Sequence, residues 1–207
     1  VALCADNSLE WIIADLAAAD AGICIVPLPL FFSASQLESV LKRSGADAIL
    51  VDSNRRGWAA SRPGAKVMDL PSCPGLSGFT ISAYSQAEAK PEQTGKITFT
   101  SGSTGAPKGV CLTHESVLLQ AQRIQQSVAV QNPRHLCLLP LSTLLENIAG
   151  VYAPLLAGGE VIVPSAADLG FQGSQLQQPD KLLAMISMCQ PSTLILVPEL
   201  LSVLIHA

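Results

Sequence analysis

Along the chain, short continuous apolar runs alternate with stretches whose apolar residues recur every three or four positions. Val1-Ala-Leu-Cys-Ala5, Ile23-Cys-Ile-Val26 and the Asp47–Val51 stretch are of the first kind. Such runs predict strands buried on both faces, as in parallel sheets. Helical patterns lie between them. Asn7 or Ser8 can cap a first helix whose apolar face is Leu9, Ile12, Ile13, Leu16 and Ala17, and Gly22 ends it. A second helix opens on Ser35 and Glu38, a Ser-x-x-Glu capping box, turns Leu37, Val40 and Leu41 to the core and stops at Gly45. Strand, helix, strand, helix, strand implies parallel pairing through crossovers.

Residues 53–94 are turn-rich, with short strands expected at Ala65–Leu70 and Phe79–Ala83 and a polar approach over Ser85–Gly95. A strand at Ile97–Thr100 and another at Val110–Leu112 flank a hydroxyl- and glycine-rich loop. Thr113 then caps a helix with Val117, Ala121, Ile124 and Val128 at helical spacing. His114, at its start, reads as a surface or capping residue in preference to a nucleotide contact. Gln131-Asn-Pro-Arg134 is a break, and the subdomain boundary is placed there, giving units 1–130 and 131–207. Strands follow at Leu136–Leu141, Glu160–Val163 and Ser192–Val197. Helices start at Ser142, Gln178 and Pro198, and Thr143 and Glu146 stand at capping-box spacing. The fold class is α/β, with layered, parallel-rich sheets flanked by helices. Both ends fall inside expected elements, so the chain is expected to be part of a longer protein.

Composition narrows the function. Of the 207 residues, 49% are hydrophobic and 14% charged, and the net charge of −4 comes with no basic run, which argues against nucleic acid as the partner. The six cysteines form no Cys-x-x-Cys pair and have no histidine at ligand spacing. They read as small buried hydrophobes in a reducing, cytoplasmic setting, with no metal site assigned. The most apolar stretch, Trp11 to Phe32, is broken by Asp15, Asp20, Pro27 and Pro29 and is no membrane span. Peripheral membrane contact stays open.

Candidate chemistry concentrates in residues 100–109. Thr100, Ser101, Ser103 and Thr104 place four hydroxyls around Gly102, followed by Gly105, Pro107, Lys108 and Gly109. Hydroxyls, backbone donors freed by glycine and one ammonium suit a polyphosphate. The spacing is not G-x-x-x-x-G-K-[ST], because Pro107 precedes Lys108 and Gly109 follows it, and G-x-G-x-x-G is absent.

Thr100-Ser-Gly-Ser-Thr-Gly105 with Pro107 and Lys108 resembles, position by position, the phosphate-binding signature of the adenylate-forming superfamily of acyl-CoA synthetases, luciferases and peptide-synthetase adenylation domains. Ala18 to Pro29 resembles that family's early scaffold block. Leu139-Pro-Leu-Ser142 with Glu146 resembles a second signature, most like that of long-chain fatty acid–CoA ligases, which often reads Leu-Pro-Leu-Ser-His-x-x-Glu; Thr143 stands where the His is expected. The resemblance implies an acyl-CoA synthetase N-terminal-domain fold, with one α/β subdomain and the first part of a second. It implies ATP, Mg2+ and coenzyme A as cofactors and a small-molecule carboxylic acid, most simply a fatty acid, as substrate. The acid becomes an acyl-adenylate and then a thioester. Residues 100–105 and 107–109 would bind ATP, with Lys108 catalytic, and Leu141, Thr143 and Glu146 would border the acyl pocket. The family's Mg2+-binding Glu block, its ribose-binding Asp and the Lys of its mobile domain have no counterpart here. The missing C-terminal part is then the chain's first partner, and these residues alone are expected to be inactive. Thr143 leaves open transfer to a carrier protein or other acceptor, and a non-catalytic nucleotide-binding module is the alternative of another class.

Overall fold

The structure is a computed structural model that describes residues 1–84, 87–100, 107–173 and 175–206. Ser101, Gly102, Ser103, Thr104 and Gly105 of the expected phosphate loop lie outside the described residues. The chain divides into two compact units, Val1–Ser116 and Val117–Ala207.

In the first unit, β1 (Ala2–Cys4) leads through α1 (Leu9–Asp20) to β2 (Val26–Pro27), and α2 (Ala34–Ser44) leads to β3 (Ala48–Val51). β1 pairs in parallel with both β2 and β3, as strand–helix–strand succession requires. Ser8 caps α1, its side chain accepting from Trp11 N–H at 3.1 Å. The buried face of α1 is Trp11, Ile12, Ala14, Asp15 and Ala18, while Leu9 and Ile13 are exposed. The helix is thus rotated from the face that hydrophobicity selects, and Asp15 goes inward. α2 starts two residues before the expected box: Ser33 and Gln36 cap reciprocally. The carboxylate of Glu38 accepts instead from Arg62 at 2.7 Å. Gly45, at φ 64°, closes α2 in the left-handed conformation that glycine adopts without steric cost.

A 3-10 turn at Ser53–Arg55 and α3 (Arg56–Ala60) replace the simple turns expected there. β4 (Lys66–Met68) and β5 (Ser77–Thr80) then extend the sheet in the antiparallel sense, giving the order β2-β1-β3-β5-β4. β6 (Thr94–Thr100) and β7 (Lys108–Thr113) form an antiparallel hairpin. β6 joins the sheet beside β2: Ile25 N–H donates to Gly95 O at 2.9 Å and Ile97 N–H to Ile25 O at 3.0 Å. Leu28, Val40, Leu41, Ile49, Phe79, Ile97 and Phe99 belong to the core of this unit.

α4 (His114–Val128) follows directly. Thr113 Oγ1 accepts from Ser116 N–H at 3.0 Å, the cap expected from sequence. The break between units falls within this helix, before the boundary placed at Gln131, because Ile124, Gln125 and Val128 share a cavity wall with residues of the second unit. There, β8 (Arg134–Leu136) runs into a turn and a π-helix at Leu145–Tyr152, which continues as α5 (Ala153–Leu156). β9 (Glu160–Ile162), a short hairpin of β10 (Phe171–Gln172) and β11 (Gln175–Leu176), α6 (Pro179–Cys189), β12 (Thr193–Leu194) and α7 (Pro198–His206) complete the order. The sheet β12-β8-β9 is parallel throughout. Leu136, Leu138, Leu169, Leu182 and Leu200 form its core. Among the described residues no helix is long and apolar enough to cross a membrane.

All six cysteines are free: Cys4, Cys137 and Cys189 are buried, and Cys111 is exposed. Burial raises the Cys4 thiol to about 11, and burial followed by the nearby Glu146 raises Cys137 well above the usual thiol range. Iodoacetamide added to the native protein at mildly alkaline pH is therefore expected to label Cys111 first and to spare Cys4 and Cys137 until denaturant is added. Peptide mass mapping checks this, and equal labelling of all six thiols would contradict it.

Candidate phosphate-binding and acyl-activating site

β6 is buried along Gly95–Phe99 and becomes exposed at Thr100, where the hydroxyl-rich segment begins. Its two faces differ. Ile97 and Phe99 belong to the apolar core, whereas Lys96 and Thr98 point the other way. Lys96 Nζ lies 2.8 and 2.9 Å from the two carboxylate oxygens of Asp15, with both side chains at 3% exposure or less. Burial lowers the Lys96 pKa, and the Asp15 charge opposes that shift. This desolvated pair ties α1 to the strand that carries the loop.

β7 returns with Thr100 opposite Lys108 and Phe99 opposite Gly109. The register sets Thr100, the last residue of β6, against Lys108, the first of β7. Lys108 is exposed and Pro107 buried. The His114 ring packs on Gly95: a Cβ there would lie 2.4 Å from it, and His114 Nε2 is buried with no hydrogen-bond partner among the described residues.

In the second unit, Leu141 is fully buried and Ser142 is 5% exposed. Thr143 does not cap a helix; its hydroxyl donates to Pro140 O at 2.8 Å. Glu146 is fully buried and reaches back to β8, not to a helix N-terminus. Its Oε2 accepts from Leu139 N–H at 3.1 Å, and its Oε1 lies 3.0 Å from His135 Nε2. His135 Nδ1 is 3.0 Å from Thr193 Oγ1. Polar atoms of His135, Cys137 and Glu146 all lie within 4.8 Å of one another. That donor set has metal-binding chemistry, but each group is already committed to hydrogen bonds inside the protein. The arrangement therefore acts as an internal network. His135 also lines a cavity of about 400 Å3 with Ile124, Val128, Ala149, Ala153 and Leu194, and Leu141, Thr143 and Glu146 do not line it.

Sequence reasoning missed His135, Cys137, Asp15 and Lys96. His135 on β8 and Cys137 just beyond its end are two residues apart in extended chain and so face the same way, a signal visible in the sequence; their partner Glu146 is reached only through the fold.

The sequence profile of the AMP-binding enzyme family matches residues 1–207. The chain belongs to the AMP-binding enzyme family. Nonribosomal peptide synthetase ecdA of Aspergillus rugulosus is 30% identical over 168 residues, 81% of this chain and 2% of that protein. Polyketide synthase PksN of Bacillus subtilis is 35% identical over 123 residues, 57% of this chain and 2% of that protein. O-succinylbenzoate CoA synthetase (MenE) of Bacillus subtilis, solved with ATP and magnesium, superposes with TM-score 0.70 at 20% identity, covering 100% of this chain and 52% of MenE. MatB of Rhodopseudomonas palustris gives 0.70 at 19% identity, covering 100% of this chain and 41% of MatB. The chain therefore has the fold of those enzymes, and it spans about half of MenE and a smaller share of the longer relatives.

Proposed function

We propose that the protein activates a carboxylic acid with ATP and passes the acyl group to a thiol. A carboxylate is a poor electrophile because attack on it must expel an oxide. Attack of a carboxylate oxygen on the α-phosphorus forms the acyl–O–P bond and breaks the α–β bridge, releasing pyrophosphate. The thiol sulfur then attacks the acyl carbon, its proton is lost, and AMP leaves with the electron pair. Catalysis of the first step is mostly positioning and charge stabilisation.

The observation that carries this reading is the register of Thr100 opposite Lys108 at the mouth of a segment rich in hydroxyls and glycine. In it, Thr100, Ser101, Ser103 and Thr104 and the amides of residues 101–105 hold the β- and γ-phosphates. Gly102 and Gly105 let the segment close over them, and Pro107 and Gly109 frame Lys108, whose ammonium meets the departing pyrophosphate. Mg2+ would neutralise phosphate charge, and no residue of this chain is assigned to hold it.

Two acceptors have support. The Leu139–Ser142 block with Glu146 favours a fatty acid and coenzyme A, with Leu141 and Thr143 bordering the acyl chain. The relatives that are peptide and polyketide synthetases, with Thr143 in place of a histidine, favour a carrier-protein thiol. Carboxylate-dependent ATP–pyrophosphate exchange on the full-length gene product, across acids of increasing chain length, tests the first step. Thioester formation with coenzyme A or a phosphopantetheinyl carrier tests the second. Lys108→Ala is expected to lower exchange about 100-fold at unchanged melting temperature, since the side chain is exposed. Undiminished exchange would sink its role. Absence of exchange with any acid, in a folded protein that binds ATP, would leave a nucleotide-binding module.

A further inference from the structure

Arg43 sits in the last turn of α2, where a cation complements the carbonyl end of the helix. Its guanidinium makes three other contacts. Nε and Nη2 donate to the two carboxylate oxygens of Glu88 at 2.7 and 3.2 Å. Nη1 donates to the carbonyl of Pro107. The guanidinium carbon lies 6.0 Å from the centroid of the Phe99 ring, within cation–π range. The backbone adds a fourth tie, with Glu88 N–H donating to Arg43 O at 2.9 Å.

Phe99 lies on β6, one stem of the hairpin, and Pro107 immediately precedes β7, the other stem. Arg43 therefore touches one stem and the residue that leads into the other. The carbonyl of Pro107 and the amide of Lys108 belong to one planar peptide unit. Holding that carbonyl fixes the plane from which the Lys108 side chain departs. Glu88 is exposed, so its ion pair with Arg43 contributes little stability by itself. What the bidentate geometry supplies is orientation, because a planar fork gripped on one edge has its remaining N–H aimed.

We infer that Arg43 is a positioning residue for Lys108 of the proposed phosphate-binding loop, holding the Pro107–Lys108 peptide in place while Glu88 orients the guanidinium. The inference rests on reading residues 100–109 as that loop. Its effect is preorganisation: with the Pro107–Lys108 peptide already fixed, less freedom is lost when Lys108 engages a phosphate. Lysine cannot substitute, since a single ammonium on a flexible stem does not bridge Glu88 and Pro107 in one fixed geometry.

The test compares wild type, Arg43→Ala, Arg43→Lys, Glu88→Gln and Lys108→Ala in the full-length gene product. Calorimetry measures binding of Mg2+–ATP, Mg2+–pyrophosphate and AMP, which lacks the β- and γ-phosphates, and thermal melting is followed alongside. Arg43→Ala is expected to weaken ATP and pyrophosphate alike by about tenfold, the scale of a lost charge-assisted hydrogen bond, with AMP affinity and melting temperature nearly unchanged. Arg43→Lys should recover little of the loss, and Glu88→Gln should give a smaller loss in the same direction. Arg43→Ala binding ATP as wild type does, while Lys108→Ala binds it weakly, would overturn the positioning role and leave the loop reading standing. Equal losses for ATP, pyrophosphate and AMP would mark a role in the fold alone and overturn it as well. If wild type and Lys108→Ala bind ATP and pyrophosphate equally, the loop reading itself fails and this inference falls with it.

Discussion

Asp15→Ala, with Lys96 left in place, is expected to destabilise the first unit by about 3–5 kcal/mol, the scale of a buried ion pair broken from one side. Both side chains are almost fully desolvated, and Lys96 stands on the one strand that leads into the loop. Lys96→Met, leaving the Asp15 carboxylate inside, should cost a similar amount. The double variant Asp15→Leu/Lys96→Met keeps apolar volume and leaves no charge, so it should return to within about 1–2 kcal/mol of wild type. Urea unfolding of these proteins, with Asp15→Leu added as the single variant that closes the cycle, gives the coupling energy, and Trp11, fully buried in α1, reports it by fluorescence. Single losses below about 1 kcal/mol would mean that the pair carries little of the unit's stability. The pH dependence has a definite sign. The folded-state pKa of Lys96 lies below its unfolded value, so between the two the unfolded chain binds more protons. The contribution of Lys96 to stability therefore rises with pH across that window. The window widens in Asp15→Ala, where the opposing charge is gone.

This pair also explains where reading the sequence succeeded and where it stopped. β1, β3, α2 and the caps at Ser8 and Thr113 were legible because local patterns decide them: apolar runs, helical spacing, short polar side chains at helix starts. The parallel order around β1 followed from strand–helix alternation. The rotation of α1 did not, because the hydrophobic pattern assigns Asp15 to solvent. A partner 81 residues away, Lys96, offsets the cost of burying it. The box on α2 offered two overlapping solutions, Ser33 with Gln36 and Ser35 with Glu38, and Arg62 decides between them by taking the Glu38 carboxylate. The antiparallel β4 and β5 come from a turn-rich stretch without periodicity. At the candidate site, the residue types of 100–109 were fully legible, whereas the contact of Arg43 with Pro107 was not, since it joins residues 64 positions apart.

Thr143 and Glu146 show the same limit, and they set up the second large effect. At capping-box spacing the pair reads as a local device, yet Glu146 turns inward and gathers three groups from the β8 side of the turn. Glu146→Ala removes the acceptor for Leu139 N–H, the partner of His135 Nε2 and the neighbour of the Cys137 thiol in one step. With those groups buried, the expected loss is roughly 3–5 kcal/mol for the second unit. Glu146→Gln should lose far less. Its amide oxygen can still accept from Leu139, and its NH2 can donate to His135 Nε2 if the ring shifts tautomer and donates from Nδ1 to Thr193. Gly150→Ala attacks the network from the other side, since the added Cβ would stand 2.3 Å from Glu146 Oε1 and 2.7 Å from His135 Nε2. It should destabilise about as much as Glu146→Ala while leaving every polar group present. Both tryptophans precede residue 117, so circular dichroism is the readout for this unit. If Glu146→Gln proves as costly as Glu146→Ala, the network depends on the carboxylate charge, not on matched donors and acceptors. If neither variant costs more than about 1 kcal/mol, the network is not what holds the Leu139–Ser142 turn against β8, and the proposed acyl-side wall must be held by its apolar packing alone.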